Sequence, residues 1–342
     1  MKSGVFFLHP VRAGPDARAE LTVPPWGRMQ KMADSAIMRH AREQFMTRKV
    51  ATVFGGSGFV GRSVVGRLAR AGYVVRVAGR TARDAACMRM QGDVGQVVPV
   101  VASITDEAGC VAALEGCDLA INLVGILSPH GRTTFEAIHV EGAGRVARLA
   151  ACAGVGRLIH VSAIGAALDS PSAYARSKAE GECVVTRAMP EAVIIRPSLI
   201  FGVDGAFPAM FARMARLMPV MPVFGAATRF QPVWVGDVAE GMLRIATGES
   251  VAGAVFEFGG PKIMTMRQIV AWAAQWSGHP RPLFEVPRWL ANAQASVLEH
   301  LPGRMLTRDQ VRLLYVDNVV APGSRTIAML GITPAPMDLI LG

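Results

Sequence analysis

The sequence has little from which a secreted or membrane-spanning protein could be built. Its 342 residues include five cysteines (Cys87, Cys110, Cys117, Cys152 and Cys183), scattered, with no CxxC pair and no histidine cluster beside them. That excludes a disulfide framework and a zinc centre, and the five read as buried thiols in a reducing compartment. No apolar run approaches the roughly 18 residues that cross a bilayer. The four apolar residues at 5–8 are too few for the core of a signal peptide. The cytoplasm is the expected location, with a peripheral position on the cytoplasmic face of the inner membrane left open. Charge is sparse: 18% of residues are charged against 51% hydrophobic, enough apolar material for a full core without covalent staples. The net charge of +10 is spread thinly, +4 in residues 1–48 and +6 in the rest. Such an excess suits acidic partners, anionic lipid or a larger assembly. No compact Lys/Arg patch with interleaved aromatics is present, so nucleic acid is not an expected partner.

What is present has a clear order. The length suggests about two domains. Residues 1–47 lack periodicity and carry Gly14-Pro15, Pro24-Pro25 and dispersed arginines. They are expected as a disordered extension or as sequence upstream of a true start at Met46. From residue 48 to 200, apolar runs of strand length ("KVATVF", "YVVRVAG", "QVVPVVA", "CDLAINLVG", "GRLIHVS", "EAVIIRP") alternate with helical stretches near 105–115, 133–153 and 173–188. Strands that read as continuous apolar runs, separated by helices, predict a parallel sheet covered on both faces. The fold class is therefore α/β, a Rossmann-type doubly wound sheet. Residues 201–342 are less regular: helices are predicted over 207–218 and 235–247, and capping boxes at Thr265/Gln268 and Thr307/Gln310. Part of this region is expected to pack back on the sheet, the rest forming a small α/β domain on the substrate side.

The run "VFGGSGFVG" satisfies two glycine patterns at once, Gly55/Gly58/Gly61 and Gly56/Gly58/Gly61. Between a strand and an amphipathic helix, such glycines allow a sharp turn, close approach of a pyrophosphate and tight helix packing. The helix N-terminus that follows offers N–H groups and partial positive charge to phosphate. At the end of the second strand, where NAD-binding chains carry an acid, this one has Gly79-Arg80. A guanidinium there pairs with a 2′-phosphate, so NADP(H) is preferred over NAD(H), with Arg62 and Arg76 as alternative partners.

"SAYARSK" places Tyr174 four residues before Lys178, on one helical face, and Ser162 ends the strand "RLIHVS" upstream. An ammonium beside a phenol is expected to lower its pKa from about 10 toward neutrality, letting Tyr174 donate a proton while Ser162 holds a carbonyl oxygen. Ser162, Tyr174 and Lys178 are the candidate catalytic residues, unless they serve only to bind cofactor. No metal ligand set is read.

The strings "FGGSGFVG", "INLVG", "HVSAIGA", "YARSK" and "RPSLIFG" resemble the atypical or extended short-chain dehydrogenase/reductases, the NAD(P)-binding epimerase/dehydratase group. Less common strings, "QGDVGQVV", "RFQPVWVGDVAEGM" and "LTRDQVRLLYVDNVV", resemble the NADPH-binding accessory subunits of respiratory complex I and their bacterial relatives, over residues 48 to 340. The resemblance implies NADPH held as a structural cofactor and docking near the junction of the peripheral and membrane arms. It implies cofactor contacts at Gly55, Gly58, Phe59, Gly61, Arg80, Ser162, Tyr174, Lys178 and Pro197; Gly56, Ser57, Ser103, Val124 and Gly125 complete the candidate cofactor-binding residues. Two positions depart from the family pattern. Ser103 stands where an Asp is usual near the adenine, and His139 where an Asn organises a proton path. His139 is expected as a satisfied structural histidine, with a shuttle as the alternative.

The leading expectation is an NADP(H)-binding accessory or assembly subunit of respiratory NADH:ubiquinone oxidoreductase, with complex I subunits as partners. The alternatives are an active NADPH-dependent reductase or epimerase on a small carbonyl or sugar-like substrate, and an NADPH redox-sensing module. A stripe of Trp289, Leu290, Ala293, Val297, Leu298 and Leu301 either covers the sheet edge or docks on a partner or membrane surface. Arg308 and Arg312 share a helix face nearby, but five arginines balance five acids over 283–342, which argues against a polybasic anchor.

Overall fold

In the computed structural model the β-branched run Val50–Phe54 (β1) lies mid-sheet, with four of its five residues buried. The structure describes residues 48–81, 87–248, 251–300 and 306–341; the extension expected at 1–47 and Leu301 lie outside them. After β1 come Phe59–Arg70 (α1), Val74–Gly79 (β2), Val97–Val101 (β3), Glu107–Leu114 (α2) and Leu119–Asn122 (β4). A π-helical turn, Glu136–Gly142, runs into Ala143–Cys152 (α3), followed by Arg157–Val161 (β5), Ala173–Ala188 (α4) and Val193–Pro197 (β6). Each apolar run expected as a strand becomes one.

The second half supplies Ile200–Phe201 (β7), Ala206–Leu217 (α5), Met221–Phe224 (β8), Arg229–Phe230 (β9), Val233–Trp234 (β10) and Val235–Thr247 (α6). It continues with Val255–Phe258 (β11), Met264–Thr265 (β12), Met266–Trp276 (α7), Leu283–Val286 (β13), Arg288–Leu298 (α8), Arg308–Leu313 (α9), Arg325–Thr326 (β14) and Met337–Leu341 (α10). Both capping boxes form: Thr265 and Gln268, and Thr307 and Gln310, exchange side-chain to backbone hydrogen bonds.

The main sheet has the order β3-β2-β1-β4-β5-β6-β11-β14, every pair parallel. The order reverses between β1 and β4, which opens the crevice where doubly wound sheets bind ligands. One face is covered by Val64, Val65 and Leu68 of α1 and Val238, Met242 and Ile245 of α6. The other is covered by Cys110 and Leu114 of α2, Val146 and Ala150 of α3 and Val185 of α4. Smaller clusters form around Phe211, Met221 and Ile269, and around Val286, Ala291 and Ala295.

The cysteines depart from expectation. Cys110 and Cys117 are buried, but Cys152 and Cys183 are exposed. The latter two sit on outward faces of α3 and α4, where a small side chain is tolerated without a core to fill.

The C-terminal residues 317–321 lace across the strand ends. Asp317 takes the Arg229 guanidinium at 2.6 and 2.8 Å, and Asn318 meets Ser198 Oγ at 2.7 Å and donates to the Ile164 carbonyl at 3.0 Å. The N–H groups of Val320 and Ala321 then donate to Gln231 Oε1 and Glu257 Oε2 at 3.1 and 2.8 Å.

Helix α4 approaches the π-helical turn closely enough that a Cβ at Gly181 would overlap the His139 carbonyl oxygen. Gly181→Ala should therefore force α4 outward and destabilise the fold by about 1–3 kcal/mol in urea unfolding; an unchanged midpoint would show that the approach is not tight.

Candidate functional site: a nucleotide cradle and a buried basic cluster

β1 is followed by Gly55, at φ +79°, whose N–H reaches across to the Ala78 carbonyl of β2 at 3.2 Å. Gly58 closes the turn on the Gly55 carbonyl at 3.0 Å, with Ser57 at its tip. A Cβ on Gly61 would overlap the carbonyl oxygens of both Gly55 and Gly56, so only glycine lets the first turn of α1 sit on the loop. No side chain caps α1 and its first turn has no acid, which leaves its positive end suited to an anion. The Phe59 ring packs where a Cβ at Gly202 or Gly205 would come within 3.1 and 3.0 Å of its atoms.

Of the three arginines considered for a 2′-phosphate, Arg76 is committed elsewhere. Its guanidinium donates to the carbonyls of Ala113 and Glu115 at 3.2 and 2.5 Å. Arg80, after β2, and Arg62, in the first turn of α1, are exposed. Ser103 Oγ lies 2.7 Å from Thr105 Oγ1, and the nearby Asp106 is used to cap α2 through the Gly109 N–H. Asp106 therefore does not replace the acid missing at 103.

The remaining candidates gather at the ends of β4, β5 and β6. Val124 donates its N–H to Asn122 Oδ1 at 3.1 Å, and a Cβ at Gly125 would stand 3.5 Å from His139 Nε2 and 3.9 Å from Lys178 Nζ. The Pro197 carbonyl accepts from the Ile164 N–H at 3.1 Å. Lys178 is buried, and its ammonium donates to the Val161 carbonyl at 2.7 Å. Burial lowers Lys178 to about 8, against the opposing pull of Glu182. Tyr174 does not follow expectation: burial pushes its phenol up to about 12, with no charge offsetting it. The helical i,i+4 spacing puts both residues on one face, but Tyr174 lies edge-on to the Phe135 and His139 rings while Lys178 turns to the β5 carbonyl.

His139 is satisfied at both nitrogens. Nε2 accepts from the Ile126 N–H at 3.0 Å, which puts the proton on Nδ1, 2.8 Å from Ser177 Oγ; that hydroxyl donates on to the Tyr174 carbonyl. Burial, then repulsion from Lys178, drops its pKa to about 3. A neutral, structural histidine follows, and a proton shuttle does not.

Asn122 and His160 escaped sequence reading. With Asn122 Oδ1 taken by Val124, its amide donates to His160 Nδ1 at 3.3 Å, so the His160 proton sits on Nε2. His160 Nε2 and Ser162 Oγ are buried and make no hydrogen bond among the described residues. Two such atoms at i and i+2 fall on one side of the β5 end, and buried polar groups of this kind call for a partner. The ribose and carboxamide of a nicotinamide dinucleotide have the polar groups to supply one, so the residues fit that cofactor. A cleft of about 510 Å³ opens beside α4, lined by Phe135, Ala173, Thr307 and Asp309 among others. A second, of about 520 Å³, lies around Trp272, Lys262 and Asp338 and includes none of the candidates.

A family model described as the NAD dependent epimerase/dehydratase family matches residues 51–259. The chain belongs to this family. It is 32% identical to the mouse mitochondrial NADH dehydrogenase [ubiquinone] 1 alpha subcomplex subunit 9, over 96% of this chain and 90% of that one. It is 31% identical to the Neurospora crassa mitochondrial NADH-ubiquinone oxidoreductase 40 kDa subunit, over 83% of this chain and 76% of that one. Among solved structures, the UDP-glucose 4-epimerase of Thermotoga maritima superposes with a TM-score of 0.62 at 19% identity, covering 85% of this chain and 96% of that one. That likeness concerns the fold. Membership supports a Rossmann-like fold that binds a nucleotide cofactor. Among the described residues no helix is long and apolar enough to cross a membrane.

The two buried histidines make stability pH-dependent. Their folded pKa values lie below the ordinary 6.5, so the unfolded chain binds protons that the folded one does not. Their contribution to stability is therefore full above about 6.5 and lost on acidification, by up to about 1.4 kcal/mol per pH unit for each histidine. His139→Asn should lose less unfolding free energy than the parent between pH 7 and pH 5; equal losses would show that His139 is not the neutral group inferred.

Proposed function

We propose that this protein is an NADP(H)-holding accessory or assembly subunit of respiratory NADH:ubiquinone oxidoreductase, in which the nucleotide is mainly structural. The observation that carries the reading is the contrast within the site: a complete glycine cradle beside a tyrosine whose phenol burial has raised to about 12. A base or acid working near neutrality needs the opposite shift. Likeness to complex I subunits across most of the chain supports the partner assignment.

In this reading Gly55, Gly56, Ser57, Gly58 and Gly61 receive the pyrophosphate and Arg80, aided by Arg62, receives the 2′-phosphate. Ser103, Val124 and Gly125 flank the nucleoside, while Ser162, Tyr174, Lys178 and Pro197 enclose the nicotinamide ribose. A bound nicotinamide would supply a hydride donor or acceptor. Ser162 and Tyr174 here serve to orient it, and Lys178 to hold the ribose hydroxyls by donation. On the C-terminal side, α8 buries Ala291 and Ala295 but leaves Trp289 71% and Val297 65% exposed, with Ala293 between them on the same ridge. This ridge is the surface we assign to association with partner subunits at the membrane.

The test is purification from detergent-solubilised membranes with analysis of bound nucleotide. NADPH and complex I subunits are expected to co-isolate. A free soluble pool that oxidises NADPH with a carbonyl substrate, and loses that activity in Tyr174→Phe, would overturn the reading in favour of a working reductase. Arg80→Ala should weaken NADP(H) about tenfold while leaving NAD(H) nearly unchanged, as loss of one charge-assisted pair implies; equal effects on both would remove Arg80 from the phosphate site. Because Lys178 loses its proton near pH 8, affinity should hold below that value and decline above it. Titration of Lys178→Met should show no such decline; persistence of the step would assign it to another group.

A further inference from the structure

Helix α4, which carries Tyr174, Ser177 and Lys178, is capped twice. Its own Ser172 accepts from the Ala175 N–H at 3.3 Å, an ordinary N-cap. The N–H groups of Ala173 and Tyr174 are taken by a residue from far along the chain. Asp309 Oδ1 accepts from Ala173 at 2.8 Å, and Oδ2 accepts from Tyr174 at 3.0 Å and from the Ser172 hydroxyl at 2.9 Å. A carboxylate receiving three donors at a positive helix end makes charge-assisted bonds, the stronger class of hydrogen bond. Arg312 stands 3.8 Å from Asp309 Oδ1 and reaches the Pro171 carbonyl at 3.5 Å, bracketing the junction.

Asp309 lies in the string "LTRDQVRLLYVDNVV", whose later members Asp317, Asn318 and Val320 fasten to Arg229, Ser198 and Gln231. The whole segment 306–321 is thus a strap that ends on the helix of the nicotinamide site. It is tied there through the backbone of Tyr174 itself.

We propose that Asp309 is a positioning residue for the nucleotide site, through which docking of the 306–321 strap and binding of the dinucleotide are coupled. Its carboxylate sets the start of α4 and with it the placement of Tyr174 and Lys178 against the ribose. Linkage makes the effect reciprocal: whatever factor strap docking adds to nucleotide affinity, the nucleotide adds to strap docking. A chain that has lost its nucleotide therefore loosens the C-terminal face it presents to partners. This inference rests on the reading that the site holds NADP(H), and the experiment separates the two.

Hydrogen exchange of the full wild-type chain is compared with and without saturating NADPH, alongside NADPH titrations of Asp309→Ala and Asp309→Asn. NADPH should slow exchange at 306–321 and at the amides of Ala173 and Tyr174. Asp309→Ala should bind NADPH about tenfold more weakly, within the usual range of coupling between sites, and lose the ligand-induced protection of the strap. Asp309→Asn, which keeps an acceptor oxygen, should recover part of both. Wild-type affinity in a folded Asp309→Ala overturns the proposal. So does a wild-type chain that binds NADPH with no change at 306–321, an arm that decides the matter even where the alanine variant does not fold. A wild-type chain that does not bind NADPH overturns the nucleotide reading and this one with it.

Discussion

The guanidinium of Arg196 holds the two halves of this chain to one another. It leaves β6 and meets Glu182 of α4 through two hydrogen bonds of 2.9 and 2.6 Å, and Glu257 of β11 at 3.7 Å. Both carboxylates are buried. Removing the arginine would leave two uncompensated charges in the interior, a loss of about 3–5 kcal/mol when a buried pair is broken. The triad does more than hold helix to sheet. Glu182 lies one turn beyond Lys178 and is the group that resists the loss of its proton. Glu257 accepts from the Ala321 N–H, so the charge that fixes α4 also fixes the end of the strap. Nucleotide helix, added strand and C-terminal segment thus share one electrostatic anchor.

Around that anchor two of the three less common strings of the sequence are partners. "RFQPVWVGDVAEGM" contributes Arg229 and Gln231, and "LTRDQVRLLYVDNVV" contributes Asp317, Asn318 and Val320, which bind them. Asp237 of the first string, buried in α6, accepts from the Ala335 N–H at 2.7 Å and ties down the chain beyond the strap. Their residue types are accounted for by mutual satisfaction of backbone and side-chain polar groups across the strand ends, without any reaction. The buried members, Ser198 and Asp237, require such partners.

The fold was legible because its signals are local. Continuous apolar runs state that both faces of a strand are covered, and the six that form β1 to β6 needed no knowledge of their neighbours. Helix α6 and both capping boxes follow from periodicity and from side chains three residues apart. What escaped reading depends on separations that periodicity does not report. Asp309 reaches across some 135 residues to the Tyr174 amide, and Asn122 becomes a site residue only through His160, 38 positions later. The π-helical turn at 136–142 was equally hidden, because it lies inside a stretch whose pattern reads as one helix and no residue type marks i→i+5 bonding. The exposed Cys152 and Cys183 mark the converse case, where a residue type usually found inside sits on helix faces that the fold turns outward.

The titration of Tyr174 shows why motif and chemistry can part. Tyr-x-x-x-Lys spacing guarantees a shared helix face and nothing about where the ammonium points. Here Lys178 turns to the Val161 carbonyl, and the burial that lowers it to about 8 is the same burial that raises Tyr174 to about 12. Desolvation disfavours the charged form of each group, so it moves an acid and a base toward mutual neutrality and away from proton transfer. His139 and His160 deepen the effect, because burial first, and then repulsion from Lys178, holds both histidines neutral. A pocket whose phenol and imidazoles are neutral near pH 7, beside an ammonium already engaged by a carbonyl, is poor at acid–base chemistry. It remains well made for gripping a polar ligand through donors and acceptors that water does not reach.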